Sequence, residues 1–333
     1  MGNQRNAWID ITRVAAAMGI ILCHTDMTDC GAAGILAGQF LSVRFSLMFF
    51  LAVIGFYVEK AYQAGNDPIP GRVRSLIRLY GAWSLVYLTL SFVMVVLIQK
   101  APLGQFLIGK VIDLLFSGSY YHFWFYPAVI YGLLFIGGIK KLLGENALRY
   151  LVPRAMFLYV VGLLGTGYLP LGQQIPGLQI LYAWEGFEDL MHLCFLGFPS
   201  LVFGMAAARS GKACCGYAVL IGAAAYVAES VILCLVLGWQ ENPQMLISTP
   251  LLTVLFLRWV QSTRLQASKK VLSLCRGISA GMYNVHPLIL AVFGIILPGL
   301  KGIGAFALCA IGSAIFGWVI YSLRNVKPFG LFV

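Results

Sequence analysis

The feature that most constrains this chain is a succession of apolar segments, each about long enough to cross a bilayer. A helix needs about 20 apolar residues to span a hydrocarbon core roughly 30 Å thick. We find such segments at 7–28, 42–62, 75–98, 122–139, 152–170, 190–208, 214–238, 245–262, 278–298 and 302–322. They predict an all-α, polytopic integral membrane protein with about ten transmembrane helices, in one domain over residues 1–333. Between them, segment 103–116 is predicted to be a surface helix, and 171–189 a loop or re-entrant piece.

The balance of charged and apolar residues supports the same class. The chain is 60% hydrophobic and 11% charged, whereas a soluble domain carries about 25% charged residues. Its net charge of +11 would suggest nucleic acid in a soluble protein. Here the basic residues lie in short gaps between apolar segments, where they set membrane topology. We therefore expect the lipid bilayer, and not nucleic acid, as a partner.

The distribution of basic residues predicts the orientation of the helices. With the N-terminus in the cytoplasm, the outer segments hold few basic residues: Arg44, Lys100, Lys110 and Lys301. The cytoplasmic segments hold many: Arg5, Lys60, Arg72, Arg74, Arg78, Lys140, Lys141, Arg149, Arg154, Arg209, Lys212, Arg258, Arg264, Lys269, Lys270, Arg276, Arg324 and Lys327. Because cytoplasmic loops are enriched in Lys and Arg, both termini are predicted to be cytoplasmic.

Two polar residues share one face of the first predicted span. Arg13 and His24 are eleven residues apart, which is about three helical turns, or about 16 Å along the axis. An arginine inside a membrane helix must face the protein interior or find a partner. Two interpretations are open: Arg13 pairs with Asp10 one turn away or snorkels to the interface, or the shared face lines a polar passage.

The remaining polar residues give weaker signals. Glu185, Glu188 and Asp189 form an outer acidic cluster, which is either a solvated loop or a contact for substrate or for a histidine. His122, His192 and His286 show no paired metal-ligand spacing, so no metal site is predicted. Three arginines, Arg72, Arg74 and Arg78, lie in the second predicted loop at the start of a helix. They either anchor the helix in the cytoplasm or bind a phosphate-rich ligand, because arginine binds phosphate bidentately.

Five short motifs together resemble the acyltransferase-3 family of bacterial membrane acyltransferases. They are the Arg13–His24 spacing, MFFLAVIGF with Phe49, Phe50, Gly55 and Phe56, the basic helix start RVRSLIRLY, the aromatic stretch YYHFWFYPA, and YNVHP with Tyr283, His286 and Pro287. They follow the family's order along nearly the whole chain. The resemblance implies ten helices in a bacterial cell membrane and transfer of an acyl group, usually acetyl, from cytoplasmic acyl-CoA to a hydroxyl. The acceptor would be a cell-envelope glycan or a small molecule.

Within that family, GSYYHFWFYPA is similar to the membrane half of the vancomycin-resistance serine racemases. Their soluble racemase domain has no counterpart before Val333, so racemase chemistry is not expected. Because that membrane half has been regarded as a serine importer, the alternative function is a transporter of a small polar solute such as L-serine. A structural or partner-binding role is a third hypothesis, and a homo-oligomer is compatible with the sequence.

The resemblance also suggests a role for each candidate site residue. His24 would be the general base, or the carrier of a covalent acyl group, with Glu188, Asp189 or Asp26 orienting it. Acyl-CoA, with acetyl-CoA as the usual donor, would bind along Arg13, Arg72, Arg74 and Arg78. Substrate contacts are expected from Asp26, His122, Trp124, Tyr126, Tyr283 and His286.

Overall fold

The architecture is entirely helical in the part of the chain that the computed structural model describes, namely residues 6–210, 214–240, 243–263 and 265–332. Arg5, Lys212 and Arg264, which were used in the charge analysis, lie outside these residues. The long helices are α1 Ala7–His24, α2 Thr28–Gln63, α3 Ile69–Ile98, α4 Leu103–Leu115, α5 Phe125–Leu143, α6 Ala147–Leu164, α7 Phe187–Arg209, α8 Gly216–Val236, α9 Ser248–Ser262, α10 Lys269–Ile296 and α11 Gly302–Ser322.

Each predicted span corresponds to one of these helices. Within the described residues, eight helical stretches are long and apolar enough to cross a membrane. One of them, Phe125–Leu164, contains both α5 and α6, which meet at the turn Gly144–Asn146. Helix α9 has 15 residues and is the shortest of the helices that correspond to predicted spans. The additional helix α4 has no buried residue, as predicted for a surface helix. The prediction of an all-α multi-pass membrane protein is confirmed.

The second span differs from its prediction in where it begins. Helical structure starts at Thr28 rather than near residue 42, and continues through a wider π-helical stretch at Leu36–Ser42. The link from α1 is therefore short, and Arg44 lies well inside α2 with its side chain buried. Its assignment to an outer segment was wrong, because the segment GAAGILAGQFLS continues the apolar helix instead of forming a loop.

Contacts between helix ends support the predicted alternation of the spans. The Asp10 carboxylate near the start of α1 lies 2.7 Å from Arg276 Nη1 near the start of α10, and both were predicted to be cytoplasmic. On the opposite side, Asp26 Oδ2 lies 3.1 Å from Lys301 Nζ, just before α11. Helix ends predicted to share one side of the membrane therefore meet in space. Which side is cytoplasmic remains a prediction from the loop charges.

Helices α2 and α7 approach each other at backbone contact. A Cβ atom built on Gly204 would lie 1.8 Å from the Ala52 carbonyl oxygen, and one built on Gly55 would lie 1.9 Å from the Leu201 carbonyl oxygen. Only glycine fits at both positions. In lipid the hydrophobic effect does not drive helices together, so their association depends on close packing. Small residues at a helix crossing allow that close packing.

A fully buried carboxylate joins three helix ends on the predicted cytoplasmic side. The Glu59 side chain in α2 is 0% exposed, and its two oxygens lie 3.0 Å from Lys140 Nζ of α5 and 3.0 Å from Arg209 Nη1 of α7. Arg209 also contacts Glu145, whose side chain is 81% exposed. Because the buried anion is held by two cations, it ties α2, α5 and α7 together.

We expect Glu59→Gln to destabilise the protein strongly. The variant leaves Lys140 and Arg209 facing a neutral amide, and breaking a buried ion pair costs about 3–5 kcal/mol. Glu145→Gln is the matched control, since an exposed pair contributes about 1 kcal/mol or less. Thermal unfolding of the detergent-purified variants measures both effects. Equal melting temperatures for the two variants would contradict this account of the buried carboxylate.

Candidate active site

A polar cavity of about 370 Å³ lies near the predicted outer ends of α1, α2, α7 and α10. It brings together residues that are far apart in the sequence. Of the predicted site residues, His24, His122, Trp124, Glu188 and Tyr283 line it. The volume lies at the lower end of the range of about 300–1,000 Å³ for small-molecule pockets.

Three histidines from three segments meet beside this cavity. The ring centroids of His24 and His286 are 5.2 Å apart with the planes 26° from parallel, and those of His122 and His286 are also 5.2 Å apart. Tyr121 packs against His24 at 5.0 Å. Among the described residues, no group of three or more His, Cys, Asp or Glu is arranged to hold a metal ion. The three rings are packed against one another beside the cavity.

Hydrogen bonds leave two of these histidines with unused nitrogens. His286 Nδ1 lies 2.8 Å from the Tyr283 carbonyl oxygen and 3.1 Å from that of Met282. Because both partners are acceptors, Nδ1 carries the proton and Nε2 presents its lone pair. His286 Nε2 and both ring nitrogens of His122 are buried and have no hydrogen-bond partner among the described residues. Buried polar atoms without partners are uncommon in folded proteins, and these lie beside a cavity.

Aromatic hydroxyls fix the start of α5 against α10. Tyr126 Oη donates to Asn284 Oδ1 over 2.7 Å, and Tyr87 Oη donates to the Asn284 carbonyl over 2.7 Å. Tyr283 Oη donates to the His122 carbonyl. Tyr126 is buried and does not line the cavity, so it positions the cavity wall through Asn284. Asn284 was not among the predicted site residues.

Trp124 forms one wall of the cavity through a stacked pair. Its ring lies 4.1 Å from that of His192, and the two planes are 9° from parallel. Both rings line the cavity. Trp124 was predicted as a substrate contact, whereas His192 had no assigned role.

The three candidate acidic residues occupy different surroundings. Glu188 is exposed and lines the cavity, whereas Asp189 is half-buried and is not among the described lining residues. Asp26 accepts hydrogen bonds from the Thr28 hydroxyl at 2.6 Å and the Thr28 amide at 3.0 Å. These bonds, and then Lys301, lower the pKa of the Asp26 carboxyl to about 2. The Asp26 carboxylate therefore already binds Thr28 and Lys301. Of the three candidates, Glu188 is the carboxylate that lines the cavity.

Arg13 lies at the other end of α1 from His24. Its Nε is 3.8 Å from Asp10 Oδ1, and Asp10 is buried and also bound by Arg276. Since α1 is unbroken from Ala7 to His24, about 16 Å separates the two residues along the helix. The pairing with Asp10, one of the two interpretations that the sequence left open, is present at this distance. Arg13 is not among the described residues that line the His24 cavity.

The predicted CoA-binding arginines lie apart from the cavity. Arg72, Arg74 and Arg78 lie in the first turns of α3, where Arg74 and Arg78 are exposed and Arg72 is half-buried. None of the three is among the described residues lining the His24 cavity. The structure does not bring them together with His24.

Sequence reasoning missed Arg44 and Gln39, which both line the cavity. Gln39 Nε2 donates to the Cys23 carbonyl over 3.2 Å, next to His24, and Arg44 Nε donates to the Gln39 carbonyl over 2.6 Å. The available signal was a glutamine and an arginine five residues apart in an apolar stretch. Polar residues inside membrane segments usually face a cavity or the protein interior.

The sequence profile of the acyltransferase-3 family, described as an acyltransferase domain, matches residues 6–322. The chain belongs to the acyltransferase-3 family. The match covers all the helices described above, including the segments that form the His24 cavity. The resemblance drawn from the five short motifs is thus confirmed.

Curated relatives of this acyltransferase-3 protein carry racemase names. An "Amino-acid racemase" of Enterococcus faecalis is 25% identical over 185 residues, which is 54% of this chain and 24% of the relative. A "Serine/alanine racemase" of Enterococcus gallinarum is 27% identical over 179 residues, which is 52% of this chain and 24% of the relative. The matched part thus spans about a quarter of these relatives. No solved structure matches the chain significantly.

The unused nitrogens of His122 allow its packing and chemical roles to be separated. We expect His122→Phe to keep or raise the melting temperature, because the ring packing is preserved and neither ring nitrogen has a well-formed hydrogen bond among the described residues. Tyr126→Phe is the contrasting variant, since it leaves the buried Asn284 oxygen without its donor at a cost of about 1–3 kcal/mol. Thermal unfolding in detergent compares the two. A His122→Phe variant less stable than Tyr126→Phe would show that His122 has a structural partner.

Proposed function

We propose that this protein transfers an acyl group, most simply acetyl, from cytoplasmic acyl-CoA to a hydroxyl group of an acceptor at the outer face of a bacterial cell membrane. A cell-envelope glycan or a small hydroxyl compound would be the acceptor. The observation that carries the proposal is the position of His24, which lines a polar cavity beside two further histidines. The chain's membership of an acyltransferase family gives this histidine its chemical role.

His24 would act as the general base. It would take the proton from the acceptor hydroxyl while the oxygen attacks the thioester carbonyl, since a neutral imidazole suits this role near pH 7. The new C–O bond forms as the C–S bond breaks, and the departing CoA sulfur takes up a proton. Glu188, at the cavity mouth, is the candidate for orienting the imidazole or the acceptor. His122 and Tyr283 line the same cavity and would contact the acceptor.

The donor would approach His24 from the opposite side of the membrane. Arg74 and Arg78 would bind the phosphates of CoA, because they are exposed and arginine binds phosphate bidentately. The pantetheine arm would then follow α1 past Arg13 to His24. The tightly packed α1 residues Ala17 and Ile20 lie between these points. The proposal therefore requires a second conformation in which this part of α1 separates from its neighbours.

Loss of the imidazole should abolish transfer without unfolding the protein. We expect His24→Ala to lower acyl transfer from acetyl-CoA by about 10²–10⁴-fold, the usual contribution of general acid–base catalysis. His192→Ala is the comparison, since that histidine lines the same cavity but stacks on Trp124, and its loss should be smaller. The measurement is release of CoA thiol by purified protein with a hydroxyl acceptor. Undiminished release by His24→Ala would exclude this role.

Removing the proposed phosphate contacts should weaken CoA binding. We expect Arg74→Ala/Arg78→Ala to reduce CoA affinity at least about tenfold, since a hydrogen bond to a charged group contributes about 1.5–3 kcal/mol. Arg149→Ala is the control, because Arg149 is exposed on the same predicted side. Titration calorimetry measures the affinities. Unchanged affinity in the double variant, or saturable serine uptake by proteoliposomes lacking acyl-CoA, would favour the transporter alternative.

A further inference from the structure

Arg44 is the one arginine among the described residues that both lines the His24 cavity and is buried. Its residue surface is 7% exposed. The side chain reaches the cavity from α2. A guanidinium keeps its charge in any protein environment. A positive charge is therefore fixed in the interior wall of the cavity.

The protein partners of Arg44 are all neutral. Nε donates to the Gln39 carbonyl over 2.6 Å, and Nη2 lies 3.3 Å from Gln39 Oε1. No described carboxylate oxygen lies within the 4.0 Å of an ion pair with Arg44. Among the described residues, two of its guanidinium nitrogens thus have hydrogen-bonding capacity without a partner.

This arrangement differs from that of the other interior cations. Lys140 and Arg209 share Glu59, and Arg276 binds Asp10. A buried charge is costly unless it is paired, and in these cases the pairing is internal. Among the described residues no such internal partner lies beside Arg44, so a group that occupies the cavity is placed to supply the neutralising charge.

The only acidic residue among the described lining residues is Glu188, which is exposed. The other described lining residues are aromatic, amide-bearing, aliphatic or, for Cys23, thiol-bearing, and Arg44 is the buried charge among them. A volume of about 370 Å³ accommodates a group the size of a monosaccharide or smaller. Shape and charge together favour a small, negatively charged occupant.

We propose that Arg44 binds a carboxylate or phosphate group of the molecule that occupies the His24 cavity, so that the acyl acceptor is anionic. Gln39 holds the guanidinium in position through its carbonyl and its side-chain oxygen. The identification of this molecule as the acceptor rests on the proposed function, whereas the anion site itself does not. The charged group and the reactive hydroxyl would be bound at opposite ends of one small molecule or one sugar residue.

Three matched probes test the site in the purified full chain. Glucose, glucuronate and glucose 6-phosphate differ in the group at one carbon, and calorimetric titration gives their affinities. We expect at least one of the two anions to bind about tenfold or more tightly than glucose, since charge-assisted bonds to arginine are the strong ones. The tighter of the two identifies carboxylate or phosphate. Equal binding of all three probes, or no measurable binding of either anion, would overturn the proposal.

Variants assign the preference to Arg44. Arg44→Gln should remove the tighter binding of the anionic sugar relative to glucose, and Arg44→Lys should keep most of it. Arg149→Gln removes an exposed charge elsewhere and should leave this difference in affinity unchanged. Gln39→Glu supplies an internal carboxylate beside Arg44 and should also suppress anion binding. This second variant tests the site even if Arg44→Gln does not fold. If folded Arg44→Gln or Gln39→Glu still binds the anionic sugar more tightly than glucose, Arg44 is not the anion-binding residue.

The two proposals fail separately. His24→Ala should retain the preference for the anionic sugar even when acyl transfer is lost. Full transfer by His24→Ala would overturn the proposed function and leave the anion site intact. If the wild-type protein shows no preference for the anionic sugar while transfer still depends on His24, only the proposal of an anionic acceptor is overturned.

Discussion

The close crossing of α2 and α7 is the contact on which the rest of the structure depends. At Gly55 and Gly204 the two helices touch through their backbones. Polar side chains of α2 and α7 on either side of this crossing are therefore held close to each other. On the predicted cytoplasmic side this crossing allows Glu59 to meet Arg209 directly. Toward the other side it places Arg44 of α2 and His192 of α7 around one cavity. Bulkier residues at the crossing would separate both pairs at once.

Charge is distributed differently at the two ends of this bundle. Near the predicted cytoplasmic side, buried acids and bases neutralise each other within the protein, as at Asp10 with Arg276 and at Glu59 with Lys140. The low dielectric of a membrane protein makes such pairing necessary. Near the outer side the pattern changes, because Arg44 and three histidines surround open space. The first arrangement fixes helices to each other, and the second leaves polar groups available to a ligand.

The sequence was a good guide to the helices and a partial guide to the site. Apolar length and loop charge predict spans well because each helix must satisfy its own backbone in lipid. The helical spacing of Arg13 and His24 was read correctly because both lie on one unbroken helix. Arg44 was missed because nothing local distinguishes a short outer loop from the continuing helix GAAGILAGQFLS. The neighbours of His24, such as His286, come from remote segments, and only the family resemblance pointed to them.

The packed stretch of α1 between Arg13 and His24 determines where the membrane potential would fall within the protein. Where water fills a cavity from the outer face, the electrical potential falls mainly over the closed protein beneath it. Here that closed part is the packed stretch of α1, about 16 Å long, between His24 and the Arg13–Asp10 pair. Moving one elementary charge through it would work against nearly the full potential, about 2.3 kcal/mol per 100 mV. Under the proposed function the transferred group would be a neutral acyl thioester, which would pass this barrier without electrical work.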